Sequence, residues 1–315
     1  MKAIAIHEFG GVEVLRYGEV PTPEPGEAEV LVRVKAAGVN PVDWKIRAGH
    51  LKDFLPHRFP IIPGWEMAGE VERQGFAARR FAPGDEVYAY CRRPVIQHGT
   101  YAQYIALPES YLALRPKSVS FEAAAAVPLA GLTAYQCLHG AAKLQAGESC
   151  VIVGASGGVG SLAVQLARVA QARVVGVASR RNHEYLQQLG ASQVVDYTAG
   201  DFSRAVKALL PEGADVVYDC VGGEALAQAY ECVRPGGRVV SILARDTDLA
   251  ARKRAQHLYV FVEPNALQLD HLASLLDADQ LRVHLSQVYP LTEAARAQEA
   301  IASGHTRGKL VIRVE

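Results

Sequence analysis

The chain has 315 residues, half of them hydrophobic and 21% charged, the mix of a soluble globular protein with two domains or one large one. Lysine plus arginine and aspartate plus glutamate both number 33, so no polybasic surface points to nucleic acid or an anionic membrane as partner. The five cysteines (Cys91, Cys137, Cys150, Cys220, Cys232) are scattered without paired spacing, which fits reduced thiols in a cytoplasmic protein.

In chain order, MKAIAIHEFG (1–10) alternates like a strand and lacks the apolar core of a signal peptide. PTPEPGEAEV (21–30) is a proline-rich surface turn. EAEVLVRVKAAGV (27–39) puts Val30, Val32 and Val34 on one face, the two-residue period of a half-buried strand. EMAGEVERQG, GDEVYAY and YAQYIAL continue as short strands separated by Pro and Gly, so the first 120 residues are β-rich. The most apolar stretch, 123–142, contains Pro128, Gly131, Gln136 and His139 and reads as buried helices, not a membrane span.

From about residue 123 short apolar runs alternate with helical segments. CVIVG, RVVGVAS, QVVDY, ADVVYDC and GRVVSIL are the strands, with LYVFVEP (258–264) as a sixth. Such runs, separated by helices, predict a parallel sheet covered on both faces. Beyond Pro264 two more helical stretches enclose LRVHLSQVYPL, and KLVIRVE closes the chain. The expected division is 1–123, 124–263 and a return of 264–315 to the first domain. The charged run ARDTDLAARKRAQH (244–257) is a solvated helix or loop, unless its arginines border a substrate entrance.

VIVGASGGVG (151–160) joins the first of these strands to a helix. Gly154 permits a sharp turn, Gly157 leaves room for backbone amides to approach a pyrophosphate, and Gly160 lets the helix pack on the strand. Ala155, Ser156, Gly158 and Val159 complete the turn, with the Ser156 hydroxyl as a further donor and the helix start favouring an anion. With six predicted strands this is a doubly wound, Rossmann-type sheet. An NAD site places an acid at the end of the second strand. Here Ser179, Arg180 and Arg181 stand there instead, which suits the 2′-phosphate of NADPH.

The chain resembles the zinc-independent quinone oxidoreductase branch of the medium-chain dehydrogenases/reductases, with its enone and alkenal reductase relatives. The resemblance spans essentially the whole chain and rests on GVNPVDWKIRAG (38–49), PIIPGWEMAGEV (60–71), AAVPLAGLTAY (125–135), GASGGVG and SRRNHEYLQQLGA (179–191), with VVDYTAGDF (194–202) and GHTRGKLVIRV (304–314). It implies a β-rich GroES-like substrate domain built from both chain ends and a central six-stranded Rossmann domain. It also implies a homodimer through the last Rossmann strand. By the same resemblance Tyr197 joins Ser179 and Arg180 at the 2′-phosphate, and Thr133, Asn40 and Lys45 lie near the nicotinamide.

The family's zinc enzymes carry a cysteine at the place of Asn40 and a histidine at that of Trp65. Glu66 alone cannot make a tetrahedral site, so no metal is expected. Without a Lewis acid, hydride transfer favours an acceptor that delocalises the arriving charge, a quinone or a conjugated enone. Asn40 is a candidate hydrogen-bond donor to the oxyanion, or else a turn residue ahead of Pro41. Tyr135 or water is the proton source. Asp43 orients Lys45 or caps the segment that follows, and Trp65 is a wall for a flat acceptor or a core residue. Quinone reduction is the leading expectation; double-bond reduction of an enone or alkenal, and an NADPH-binding sensor or structural protein with little turnover, are the alternatives.

Overall fold

The computed structural model describes residues 1–244 and 247–315, and of Thr247 only the backbone. Arg245 of the charged run therefore lies outside the described residues. The chain divides into two units: Met1–Leu132 with Glu263–Asp279 and Val283–Glu315, and Thr133–Val262 with Gln280–Arg282.

The amino-terminal part of the first unit contains β1 (Lys2–Ala5), β2 (Arg16–Glu19), β3 (Glu29–Val39), α1 (Pro41–Arg47), β4 (His57–Ile62), β5 (Glu66–Gln74), β6 (Glu86–Tyr90), β7 (Ile96–His98), β8 (Tyr104–Pro108), β9 (Leu112–Leu114) and α2 (Phe121–Ala125). The chain passes to the second unit within α3 (Pro128–Tyr135). The second unit then contains β10 (Ser149–Val153), α4 (Gly158–Val169), β11 (Arg173–Ala178), α5 (His183–Leu189), β12 (Gln193–Asp196), α6 (Phe202–Leu209), β13 (Ala214–Asp219), α7 (Gly223–Cys232), β14 (Val233–Ser241), α8 (Thr247–Lys253) and β15 (Gln256–Tyr259). The chain ends with α9 (Ala266–Asp277), β16 (Leu285–Pro290), α10 (Ala294–Ala302) and β17 (Lys309–Arg313), which belong to the first unit.

In the first unit a sheet runs in the order β16-β17-β3-β5-β6-β9, with β8 also paired to β3. The alternation of β3 works as its sequence requires: Val30, Val32 and Val34 are fully buried, packed with Met67, Val71, Val87, Ile105 and Leu107. The chain end joins this sheet through β17, antiparallel to β3 with Leu310 opposite Val39 and Ile312 opposite Ala37. The unit extends beyond residue 123 because α2 packs on β3 and β5, and the Leu129 N–H donates to Glu66 at 2.7 Å.

The second unit is a six-stranded parallel sheet, β12-β11-β10-β13-β14-β15, the doubly wound order expected. Val151, Val153, Val175, Val177, Val217 and Val239 pack against Phe202, Val206, Leu226 and Tyr230. Burying such strands on both faces removes a continuous apolar run from water, about 1.5–3 kcal/mol per large side chain. The sixth strand starts and stops earlier than LYVFVEP suggests, because β14 ends at the Ser241–Tyr259 pair and the ladder ends with it. Among the described residues no helix is long and apolar enough to cross a membrane.

Candidate functional site

The sequence-predicted site residues fall into two groups, one in each unit. In the second unit, β10 delivers the chain to Gly154, which takes a φ of +76° where an L side chain would be strained. A Cβ on Gly160 would lie 2.3 Å from the Gly154 carbonyl oxygen, so only hydrogen fits between turn and helix. Gly157 is different: its φ is −76°, and an added Cβ would approach no protein atom closer than 3.4 Å. Nothing in the fold itself demands glycine there; what an added methyl would occupy is space outside the turn. The first amides of α4, from Gly158 and Val159 onward, have no intrahelical partner and carry the positive end of the helix dipole. The cradle therefore fits a dinucleotide pyrophosphate by its own geometry, with Ala155 buried beneath it.

At the neighbouring strand ends the register pairs Ala178 with Asp196, so Ser179 and Tyr197 follow side by side. Tyr197 is half exposed. Arg180 and Arg181 are exposed, and neither has a carboxylate partner among the described residues. Asn182, buried one turn after Ser179, donates from Nδ2 to Ser156 Oγ at 3.0 Å and to Ser179 Oγ at 3.2 Å. Asp219, which ends β13, is occupied internally: it accepts from the Val221 and Gly222 N–H groups and from the Ser241 hydroxyl. Thr133 is buried in α3, and Tyr135 at its end is half-buried with its ring 4.7 Å from that of His139.

In the first unit, Asn40 is the N-cap of α1 and Pro41 follows at the first helical position. The cap is supplied by Asp43, whose Oδ2 accepts the Asn40 N–H at 2.7 Å. The Asn40 side chain turns inward instead. Its Oδ1 accepts from Lys309 Nζ at 2.5 Å, and its Nδ2 donates to Glu66 Oε1 at 2.7 Å. Lys309 Nζ also donates to Glu66 Oε1 at 2.6 Å, and Glu66 Oε2 takes the Leu129 N–H. Glu66 is fully buried, and Asn40 and Lys309 are each 3% exposed. This is a buried ion pair with most of its lone pairs satisfied, the condition under which such a pair is tolerated.

For Asp43 and Trp65 the structure favours one of the two roles expected: Asp43 caps the segment that follows it, and Trp65 is a core residue. Asp43 does not orient Lys45: it is fully buried, accepting from Asn40 and from the Tyr101 hydroxyl at 3.1 Å, while Lys45 Nζ sits 5.9 Å from the Trp44 ring. A direct substrate contact is therefore replaced by a supporting role under α1. Trp65 is 6% exposed and packs edge-on against Tyr90 at 6.2 Å, as a core residue of this unit. Burial pushes the Asp43 carboxyl up to about 7, against the two hydrogen bonds that favour its charged form. Among the described residues no group of three or more His, Cys, Asp or Glu is placed to hold a metal ion.

Sequence reasoning missed Lys309, Tyr101 and Asn182. A signal existed for the first: Glu66 stands in the apolar run PIIPGWEMAG, and a carboxylate buried there requires a cation. Asn182 lies three residues after Ser179, the spacing of a turn, but its second partner is brought up only by the sheet.

A doubly wound parallel sheet with a glycine turn at its first strand, joined to a β-rich unit closed by the chain end, defines a two-domain oxidoreductase of the dinucleotide-binding class. Residues 26–117 match the alcohol dehydrogenase GroES-like domain, and residues 189–312 match the zinc-binding dehydrogenase domain. The chain belongs to the medium-chain dehydrogenase/reductase family, in its quinone oxidoreductase-like branch. It is 32% identical to the chloroplast envelope quinone oxidoreductase homolog of Arabidopsis thaliana, over 99% of this chain and 98% of that protein. It is 33% identical to the NADPH-dependent alkenal/one oxidoreductase of the same plant, over 99% of this chain and 79% of that one. The structure of the Escherichia coli quinone oxidoreductase complexed with NADPH superposes with a TM-score of 0.89 at 28% identity, covering both chains in full.

Proposed function

We propose that this chain binds NADPH in its second unit and reduces quinones by hydride transfer without a metal. The observation that carries the cofactor is the run Ser179–Arg180–Arg181 directly after β11: a hydroxyl and two exposed guanidinium groups, with no carboxylate partner among the described residues, stand where an NAD site has an acid. In this reading the backbone amides of the Gly154–Gly160 turn hold the pyrophosphate, and Ser179, Arg180 and Tyr197 hold the 2′-phosphate. Thr133, Asn40 and Lys45 serve the nicotinamide end. NADPH supplies the hydride when bound.

The metal-free reading is supported by what surrounds Glu66. The Lys309 ammonium already neutralises that carboxylate and occupies the Asn40 carbonyl oxygen, so a dication would have to displace a buried charge from both. With no Lewis acid, the acceptor is one that spreads the incoming charge over a conjugated system. The second Nδ2 hydrogen of Asn40 is the donor available for a developing oxyanion, and Tyr135 or water supplies the proton. Asn40 can do this with little reorganisation because Lys309 and Glu66 hold its amide at both ends.

The Arabidopsis alkenal/one oxidoreductase favours a second reading, reduction of the double bond of an α,β-unsaturated carbonyl. The edge strand β15, followed in sequence by exposed Phe261, supports a homodimer formed through it. Five free cysteines, four of them buried, support a reducing compartment such as the cytoplasm. The test is NADPH oxidation followed across a panel of quinones, enones and alkenals, with product analysis. Quinone turnover giving a hydroquinone or semiquinone supports the first reading, and a saturated ketone or aldehyde the second. NADPH left unconsumed with every acceptor would overturn both.

A further inference from the structure

We infer that Asn182 is a positioning residue for the cofactor: its side-chain amide aims the Ser156 and Ser179 hydroxyl hydrogens outward as a paired donor for the 2′-phosphate. The inference rests on the NADPH reading above and adds a residue which that reading does not contain.

The argument is one of donor and acceptor counting. A serine hydroxyl has one hydrogen to give and can accept two bonds; a primary amide nitrogen has two hydrogens and accepts none. Asn182 Nδ2 is within hydrogen-bond distance of both serine oxygens, 3.0 Å from Ser156 Oγ and 3.2 Å from Ser179 Oγ, so it spends one hydrogen on each. Both hydroxyls are thereby used as acceptors from the protein side. Among the described residues neither hydroxyl hydrogen is given to a protein group, so both remain for a ligand that only accepts. A phosphate ester is such a ligand, and Arg180 and Arg181 supply positive charge next to it.

Placement strengthens the count. Ser156 lies in the glycine turn after β10, and Ser179 at the end of β11, so the two hydroxyls come from neighbouring strand ends. Asn182 reaches both because the Ser179–Asn182 turn, closed by the Asn182 N–H on the Ser179 carbonyl at 2.9 Å, folds its side chain back under the strand ends. It is only 7% exposed, whereas both serines are half-buried and Arg180 is exposed. An inner amide carrying outer hydroxyls is the order of layers expected when the amide sets the direction of donation. A carboxylate at position 182 would reverse that direction, drawing both hydroxyl hydrogens inward.

The experiment is calorimetric binding of NADP+ and NAD+ to the full chain, read as the ratio of their dissociation constants, with the melting temperature of the free protein as control. Wild type is expected to prefer NADP+. Asn182→Leu, close in size and unable to donate, should cut that preference roughly 5- to 30-fold with NAD+ binding changed less than about twofold. If Asn182→Leu does not fold, Asn182→Asp, which keeps the shape, is measured in the same way and should lose the preference at least as far. In a Ser156→Ala, Ser179→Ala background the Leu substitution should cost less than about twofold more, because the hydroxyls it directs are gone. Equal losses for NADP+ and NAD+ would make Asn182 a structural residue of the turn and overturn the inference. So would an undiminished effect in the serine-free background. A wild type that binds both nucleotides alike would instead overturn the cofactor reading itself.

Discussion

Lys309 Nζ lies 2.5 Å from Asn40 Oδ1, tying the last strand of the chain to the N-cap of its first helix across 269 positions of sequence. The same ammonium is 2.6 Å from Glu66, so one buried cation orients an amide and neutralises a carboxylate. Removing it alone strands Glu66 without a partner. Lys309→Met should therefore destabilise the fold by about 3–5 kcal/mol in denaturant unfolding. Combining it with Glu66→Gln should restore most of that stability but not kcat, since Asn40 Oδ1 has lost its donor. A double variant with wild-type kcat would show that the lysine serves only charge balance.

Gly157 and Gly160 should respond in opposite ways to a single methyl. Gly160→Ala forces a Cβ to 2.3 Å from the Gly154 carbonyl, and the free protein should lose about 1–3 kcal/mol or more. Gly157→Ala meets only ordinary packing inside the protein, so its free-state stability should stay within about 1 kcal/mol of wild type. Its dinucleotide affinity should nonetheless fall by tenfold or more, read by calorimetry. Unchanged affinity in Gly157→Ala would remove the pyrophosphate from this turn.

Arg180→Ala should weaken NADPH binding by roughly tenfold or more while leaving NADH nearly untouched, the scale of one charge-assisted hydrogen bond to a phosphate. The difference should shrink as salt is raised, because the guanidinium is exposed and screened. A variant with the wild-type NADPH to NADH ratio would assign the 2′-phosphate elsewhere.

The buried Asp43 makes a prediction in pH. Its folded value near 7 stands above the unfolded carboxylate value of about 3.9, so the native state holds more protons between those limits. Stability contributed by this group is thus present at low pH, is lost as pH rises from about 4 to about 7, and levels off above that. Among the described residues Oδ1 has no hydrogen-bond partner, so nothing at that oxygen favours the charged form. Asp43→Asn keeps an acceptor for the Asn40 N–H and cannot ionise. It should flatten that part of the stability profile and gain stability at neutral pH, on the order of 1–3 kcal/mol. An unchanged profile would mean that Asp43 titrates normally.

Metal analysis is the last check. The purified protein should carry no stoichiometric zinc, and chelator treatment should leave its melting temperature and turnover unchanged. Stoichiometric zinc lost together with activity would refute the role given to Lys309.

Much of the protein is legible from residue order alone, for reasons that are local. The valine runs of β10, β11, β13 and β14 declare a sheet buried on both faces, and the glycine spacing after β10 declares a turn, because each depends on neighbours within a few positions. The absence of an acid after β11 is equally local and already separates the two nicotinamide cofactors. Tertiary structure alone decided what Asn40, Asp43 and Trp65 touch. Their surroundings come from Lys309, Tyr101 and Tyr90, distant in sequence and delivered by sheet pairing. A polar side chain looks the same in sequence whether it faces a ligand or a buried partner, and only burial and partner distances separate the two. Asn40, expected as an oxyanion donor or a turn residue ahead of Pro41, is a buried N-cap whose side-chain amide is held by a lysine from the far end of the chain.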